Sequence, residues 1–320
     1  MAFLGSAFAL PVLAREQQPG RVRRIGVLIP IVQTRIQRAL SAFLQALHAS
    51  GWTEDRSVRI EYRWTGEDPD RMRADANELI SLNPDVILAH GGPVVSAVQK
   101  ATRTIPIVFV QVPDPIEAGL VKSLAHPGGN MTGFTNYEPE MGGKWLQMLK
   151  QIAPNTSRVL LIMNRQSVSF TGYLNVINAT ADSLGLLLST AEVQEATDIV
   201  DAIDTFGREP NGGMVVVPNP VTTNYSRLII ESCVKHSLPA VYPFRFFTEN
   251  GGLMSYGSDT VDMYRRAALY VDQVLKGANA GDLPVQQPTK FELVINRKTA
   301  KALGLDVPPM LIVRADDVID

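Results

Sequence analysis

From Arg24 onward the chain alternates between two textures of apolar residues. "RIGVLIP" is a continuous apolar run, and behind it Ile36, Leu40, Phe43, Leu44 and Leu47 recur at helical spacing up to Gly51. "SVRIEYRW" alternates with a period of two, as a half-buried strand does. "DVILA" and "IPIVFVQV" are short runs rich in β-branched residues, each followed by a helix-like segment. Such runs are buried on both faces, and the helices between them let the strands lie parallel. The layout restarts with "RVLLIMN", a helix through Val176 and Leu184, "LLLSTAEVQ" and a helix over Ile199–Phe206. It continues through "GMVVVP", a helix over Tyr225–Val234, "PAVYPF", "GLMSY", a helix over Val261–Leu275 and "KFELVIN". No close residue-level repeat links the halves, yet the order of elements is duplicated. The pattern predicts an α/β protein of two βα-alternating halves in tandem, with parallel sheets.

The boundary falls in "QVPDPIEAGLVKSLAHPGGNMTGFT", Gln111 to Thr135. Asp114-Pro115 reads as a helix start, because Asp caps free amides and Pro suits the first helical position. The expected helix, Ile116–Ala125, stops at His126-Pro127-Gly128-Gly129-Asn130, and "MTGFT" is the last strand of the first half. Chemistry does not require this arrangement, whereas a change of lobe does, so the stretch reads as a hinge. The long loop "KGANAGDLPVQQP" predicts a second crossing. Lobes tied by more than one strand bend about a common axis, which suits closure around a ligand. The expected division is 1–20 as residual export signal and linker, 21–134 plus 256–283 as lobe one, and 135–255 plus 284–320 as lobe two.

A chain of 320 residues accommodates two such units. Hydrophobic content of 45% with 19% charged residues is globular, and a net charge of −2 makes no electrostatic case for nucleic acid or an anionic membrane. The single cysteine, Cys233, has no internal disulfide partner and reads as a buried, inert thiol. Ahead of the first strand, "AFLGSAFALPVL" is too short to span a membrane and resembles the back half of a secretory signal without its basic front. No cysteine lies near the expected cleavage point, so lipid anchoring is not expected. The expectation is a soluble periplasmic protein, not embedded in the membrane.

Enzyme signatures are missing. There is no Gly-x-Gly-x-x-Gly after the first strand, no Walker lysine loop and no Gly-x-Ser-x-Gly elbow. His48, His90, His126 and His236 match no metal-ligand spacing. The acidic pairs Glu67-Asp68 and Asp316-Asp317 read as solvated faces. No catalytic constellation, metal or cofactor is implied.

A binding site follows from the architecture instead, since ligands of open parallel sheets sit beyond the carboxyl ends of the strands. In the first lobe those ends carry Ile31, Thr34, His90, Gly91, Gly92, Gln111 and Asp114. In the second they carry Asn164, Ser167, Asn219, Thr222, Tyr242 and Phe244, while Asn136 and Tyr256 stand at the crossings between the lobes. Gly91-Gly92 is either a plain tight turn or an opening for a carboxylate. Asp114 is either a cap or the partner of a ligand ammonium, and the three aromatics are either core or a flat wall for a side chain.

The segments "IPIVFVQVPDPIEAGLVKSLAHPGGNMTGFTN" and "GGLMSYGSDTVDMYRRAALYVDQVLKGANAGDLPVQQPTKFELVINRKTAKALGL", with the start "RRIGVLIP", closely resemble one family. It is the bacterial ABC-transporter substrate-binding proteins of periplasmic-binding type I, a group that includes binders of tryptophan and related aromatic amino acids. The resemblance covers Arg24 to Asp320. It implies a receptor of two Rossmann-like lobes with a multi-strand hinge, crossing back near Tyr256 and again near Pro284, and working with a membrane permease. The expected ligand is an aromatic or branched amino acid or a related small carboxylate. A ligand sensor of the same fold, acting in signalling, is the alternative.

Overall fold

The computed structural model describes residues 21–320 apart from 32, 67, 137 and 166–169. The expected export signal, Glu67 of the acidic pair and the candidate Ser167 lie outside the described residues.

Two sheets organise the chain. The first is built from β1 (Arg23–Ile29), β2 (Val58–Trp64), β3 (Val86–His90), β4 (Ile107–Val112) and β5 (Met131–Thr135). Its order is β2-β1-β3-β4-β5 with every neighbouring pair parallel. The second contains β6 (Arg158–Met163), β7 (Leu187–Glu192), β8 (Gly212–Val216), β9 (Ala240–Tyr242), β10 (Met254–Ser258), β11 (Phe291–Asn296) and β12 (Asp317–Ile319). Its order is β12-β11-β10-β9-β8-β6-β7. The β10–β11 pair is antiparallel, which departs from the expected purely parallel sheet. The cause is connectivity: β10 leaves at the hinge end and β11 re-enters from that end, so the two run in opposite directions.

Helices cover both faces of each sheet. On the first sheet, α1 (Gln33–Ala49) and a much later helix, α10 (Thr260–Leu275), share one face, while α2 (Pro69–Ser81) and α3 (Gly92–Ala101) cover the other. The stripe Ile36, Ala39, Leu40, Phe43 and Leu47 of α1 meets Met263, Tyr264, Ala267, Ala268 and Val271 of α10 in one buried cluster with Val27 and Val110. On the second sheet, α4 (Met141–Ile152) and α5 (Phe170–Leu184) cover one face. The other carries α6 (Ala196–Phe206), α8 (Ser226–Lys235) after the one-turn α7 (Pro220–Asn224), and the short α9 (Arg245–Glu249). Helices α11 (Arg297–Ala302) and α12 (Pro309–Arg314) join β11 to β12.

The helix expected over Ile116–Ala125 is a run of turns. Asp114 Oδ1 caps the amides of Ile116 and Glu117, both at 3.0 Å. The chain then bends at Gly119, whose φ is +66°, and the amides of Leu120 and Val121 both return to Pro115 O. Leu120 and Val121 are buried against the α2/α3 face, and burying both takes precedence over extending a helix. The pair Asp316-Asp317 also proves structural: Asp316 Oδ2 accepts the Leu293 amide at 2.8 Å, and Asp317 pairs with Arg245.

The chain passes between the sheets three times: after β5, between β10 and α10, and between Gln286 and β11. These crossings pack against the ends of the sheets. Gln286 runs beside β5, accepting from Thr135 N at 3.0 Å and donating to Gly133 O at 2.9 Å. A Cβ on Gly133, where φ is +154°, would lie 2.0 Å from Phe109 O, and one on Gly257 would lie 1.9 Å from Pro243 O. Backbone cannot yield as a flexible side chain does, so glycine is required at both places. Gly257→Ala should therefore lower the unfolding free energy by at least about 2 kcal/mol, read as a lower urea midpoint at unchanged m-value. An unaltered midpoint would show that the crossing has room to spare.

Candidate ligand-binding site

The carboxyl ends of β3, β4 and β5 place His90, Gln111 and Asn136 side by side, with His90 in register with Val110 and Val112 with Thr135. The register shifts between Phe109 and Val112, and at this irregularity Gln111 takes a φ of +57°. A non-glycine residue held in that region stores strain of roughly 1–3 kcal/mol and is characteristic of functional sites. The strain turns the Gln111 side chain toward the first turn of α10.

There a relay of neutral groups forms. Gln111 Nε2 donates to Thr260 Oγ1 at 2.9 Å, and Asn136 Nδ2 donates to Gln111 Oε1 at 2.6 Å. The Gln111 amide approaches Met263 Sδ at 3.4 Å. Among the described residues, Asn136 Oδ1 is buried and accepts no hydrogen bond. Beside the relay, His90 Nδ1 is 2.8 Å from the Tyr264 hydroxyl. Burial pushes the His90 pKa down to about 4 and raises that of Tyr264, so the pair is neutral at pH 7. Next to His90, Gly91 starts α3 with a φ of +82° and no side-chain cap, and a Cβ on Gly92 would meet nothing within 4 Å.

The other candidates are placed differently. Ile31 is half-buried against the α1/α10 cluster, and Thr34 is exposed in the first turn of α1. Asp114 is engaged as the cap described above. Asn164 is half-buried just after β6. Asn219 and Thr222 are buried and form a reciprocal capping box for α7, with Asn219 Nδ2 and Thr222 Oγ1 both donating to Val217 O. Their polar groups serve the loop rather than the cleft. Tyr242, proposed as part of an aromatic wall, is 1% exposed. It stacks on Phe247 at 4.9 Å beneath α8, because alternation along β9 turns it into the core, and burial beside Cys233 raises both pKa values. Tyr256 leans on Phe291 at 6.0 Å at the margin of the α4/α5 cluster. Phe244 is half-buried and stacks on Phe246 at 5.8 Å.

Residues outside the expected set complete the picture. Arg35 of α1 lies 5.5 Å from the Phe246 ring centre and reaches Thr223 O at 3.4 Å, while Arg38 pairs with Glu249 at 3.2 Å. These contacts join the first lobe to the second. Glu249 is also held by Arg245, which binds Glu292 and Asp317. Thr260 was legible as the polar top of the stripe Thr260, Met263, Tyr264, Ala267, whose helical spacing points it where the apolar members point. A groove of about 340 Å³ lined by Leu44, His48, Trp52 and Glu54 lies at the opposite end of the first lobe, by the carboxyl end of α1 and the start of β2. It is remote from the strand ends and from the relay.

A family profile described as ABC transporter substrate binding protein matches residues 24–319. The chain belongs to that family. A tyrosine-binding protein of Clostridioides difficile strain R20291 is 27% identical over 290 residues, covering 88% of this chain and 81% of the relative. A conserved domain protein from Vibrio cholerae superposes with a TM-score of 0.84 at 25% identity, covering 93% of this chain and all of the other. An ABC domain from Streptococcus pneumonia, solved in complex with L-Trp, gives a TM-score of 0.84 at 24% identity, again over 93% of this chain and 100% of that one. The two α/β lobes of this substrate-binding protein therefore have the type I periplasmic-binding fold. No helix among the described residues is long and apolar enough to cross a membrane.

His90 supplies a pH test of the site. Its folded-state pKa is depressed, so the unfolded chain takes up the proton first as pH falls below about 6.5. The stability that neutral His90 provides is intact above that pH and is lost progressively down to about pH 4. His90→Gln should remove roughly 1–2 kcal/mol of the stability loss between pH 7 and pH 4, measured by urea unfolding of both proteins. Parallel curves would show that His90 titrates normally.

Proposed function

We propose that this chain is the exported, periplasmic receptor of an ABC importer, delivering a small ligand to a membrane permease. In this reading it closes around an aromatic or branched amino acid or a related small carboxylate. The observation that carries the reading is the bridging of the two lobes, by Arg35 and Arg38 on one side and Phe246 and Glu249 on the other, in a protein whose strand-end residues His90, Gln111 and Asn136 converge. A protein built to sequester a solute needs this combination of a polar recognition point and contacts that form on closure. The names of its relatives support the ligand class, since one is a tyrosine-binding protein and another was solved with L-Trp. A sensor would use the same closure, but the family match favours transport. The crossings after β5, after Ser258 and after Gln286 would serve as the hinge.

Thermal shift against amino acids, simple carboxylates, sugars and nucleosides tests the ligand class. A ligand at a hundred times its Kd adds about 2.7 kcal/mol, which raises the melting temperature by several degrees. Stabilisation by sugars or nucleosides alone would refute the assignment. Solution scattering should show compaction on saturation, and unchanged dimensions with a bound ligand would refute closure. Exposed ion pairs contribute roughly 0–1 kcal/mol, so Arg38→Gln should weaken ligand affinity up to about fivefold and reduce its salt dependence.

A further inference from the structure

We propose that Asn136, at the open end of a relay through Gln111 and Thr260, is the residue that selects ligands carrying an α-amino group. The inference rests on the amino-acid reading above and names the contact by which that class would be recognised.

The starting point is the buried Asn136 Oδ1, which accepts no hydrogen bond among the described residues. Leaving a buried acceptor without a donor costs its full desolvation, and native structures leave few of them. The rest of the relay is satisfied. Gln111 uses Nε2 on Thr260 and Oε1 on Asn136, and Asn136 uses Nδ2 on Gln111, so Oδ1 is the single open end of a three-residue chain. The open end lies just past β5, at the first crossing between the lobes, where the Asn136 amide donates to Val112 O at 3.3 Å. An acceptor held there suits a ligand that brings its own donor.

The surroundings narrow the donor. His90 and Tyr264 are neutral and bonded to each other. Asp114, the carboxylate expected to meet an ammonium, has Oδ1 on two backbone amides. Around the Thr260 end, Asp259 pairs with Lys290 at 3.1 Å, and Asp262 pairs with Arg265 at 3.1 Å. Among the described residues here, the acceptor that is both buried and open is Asn136 Oδ1, and a ligand ammonium N–H in this desolvated place forms a charge-assisted bond of the stronger kind. Reversal of both amides along the relay would present Nδ2 instead and would select a carboxylate. The two settings make opposite predictions.

The test measures binding of L-tyrosine, its des-amino analogue 3-(4-hydroxyphenyl)propanoate, and its decarboxylated analogue tyramine by calorimetry. The proteins are wild type, Asn136→Leu and Asn136→Asp, each checked for an intact melting transition. Wild type should prefer tyrosine over the des-amino acid by roughly ten- to a hundredfold, the range of one hydrogen bond to a charged group. Asn136→Leu should collapse that ratio toward one while leaving the tyrosine-to-tyramine ratio in place. Asn136→Asp keeps an acceptor at the same point, and Gln111 can turn its amide to donate to it, so the preference for the amino group should persist or grow. An unchanged tyrosine-to-des-amino ratio in the leucine variant overturns the proposal, as does a collapse confined to the tyramine ratio. If wild type binds neither tyrosine nor any other amino acid, the functional reading fails and this assignment fails with it. Binding of amino acids with a normal des-amino preference in the leucine variant refutes Asn136 alone.

Discussion

The constraint on which the structure depends is the threefold passage of the chain between its sheets. Gly133 and Gly257 lie where backbone meets backbone at distances that no side chain tolerates. Between them, Gln286 extends the margin of the first sheet by pairing with Gly133 and Thr135. One crossing would let the lobes swing freely, whereas three running together restrict them to one kind of motion. The same passage decides membership of the lobes. Helix α10 follows the second lobe in sequence but fills the groove beside α1, so neither core is complete until the chain has crossed twice.

That arrangement ties the strand-end relay to the crossings. The relay from Asn136 through Gln111 ends on Thr260, the first residue of α10. Asn136 and Thr260 each lie within a few residues of a crossing. The site is neutral by construction: burial holds His90 uncharged, and the relay is made of amides and a hydroxyl. One ion pair, Arg38–Glu249, spans the lobes, and Glu249 is anchored on the second lobe by Arg245, which also holds Glu292 and Asp317. An exposed pair such as Arg38–Glu249 is individually weak.

Much of this was legible in the residues themselves. The β-branched runs and helical stripes specify βα alternation because a strand buried on both faces must be apolar throughout, while a helix needs only one apolar stripe. The turn chemistry of Pro-Gly-Gly-Asn marked the first change of sheet, since glycine and proline dictate backbone conformation locally. That His90, Gln111 and Asn136 lie side by side followed from their places at the ends of neighbouring strands, which needs the strand positions and nothing else.

Other features required the packed molecule. The segment after Asp114 carries correct helix-start chemistry, but burial of Leu120 and Val121 bends it into turns. Tyr242 and Phe244 look equivalent in sequence, yet Tyr242 ends β9 inside the core beneath α8, while Phe244 lies past the strand as the N-cap of α9 and is half-buried. Asn219 and Thr222 sit at a strand end as the rule demands, but their polar groups close a cap on their own loop. Thr260 reaches Gln111 only because α10 returns to the first sheet, across 149 positions of sequence. Local sequence determines which elements form, because periodicity and turn preference act over a few residues. Which polar atom is left without a partner depends on contacts between distant segments, and that only the tertiary structure decides.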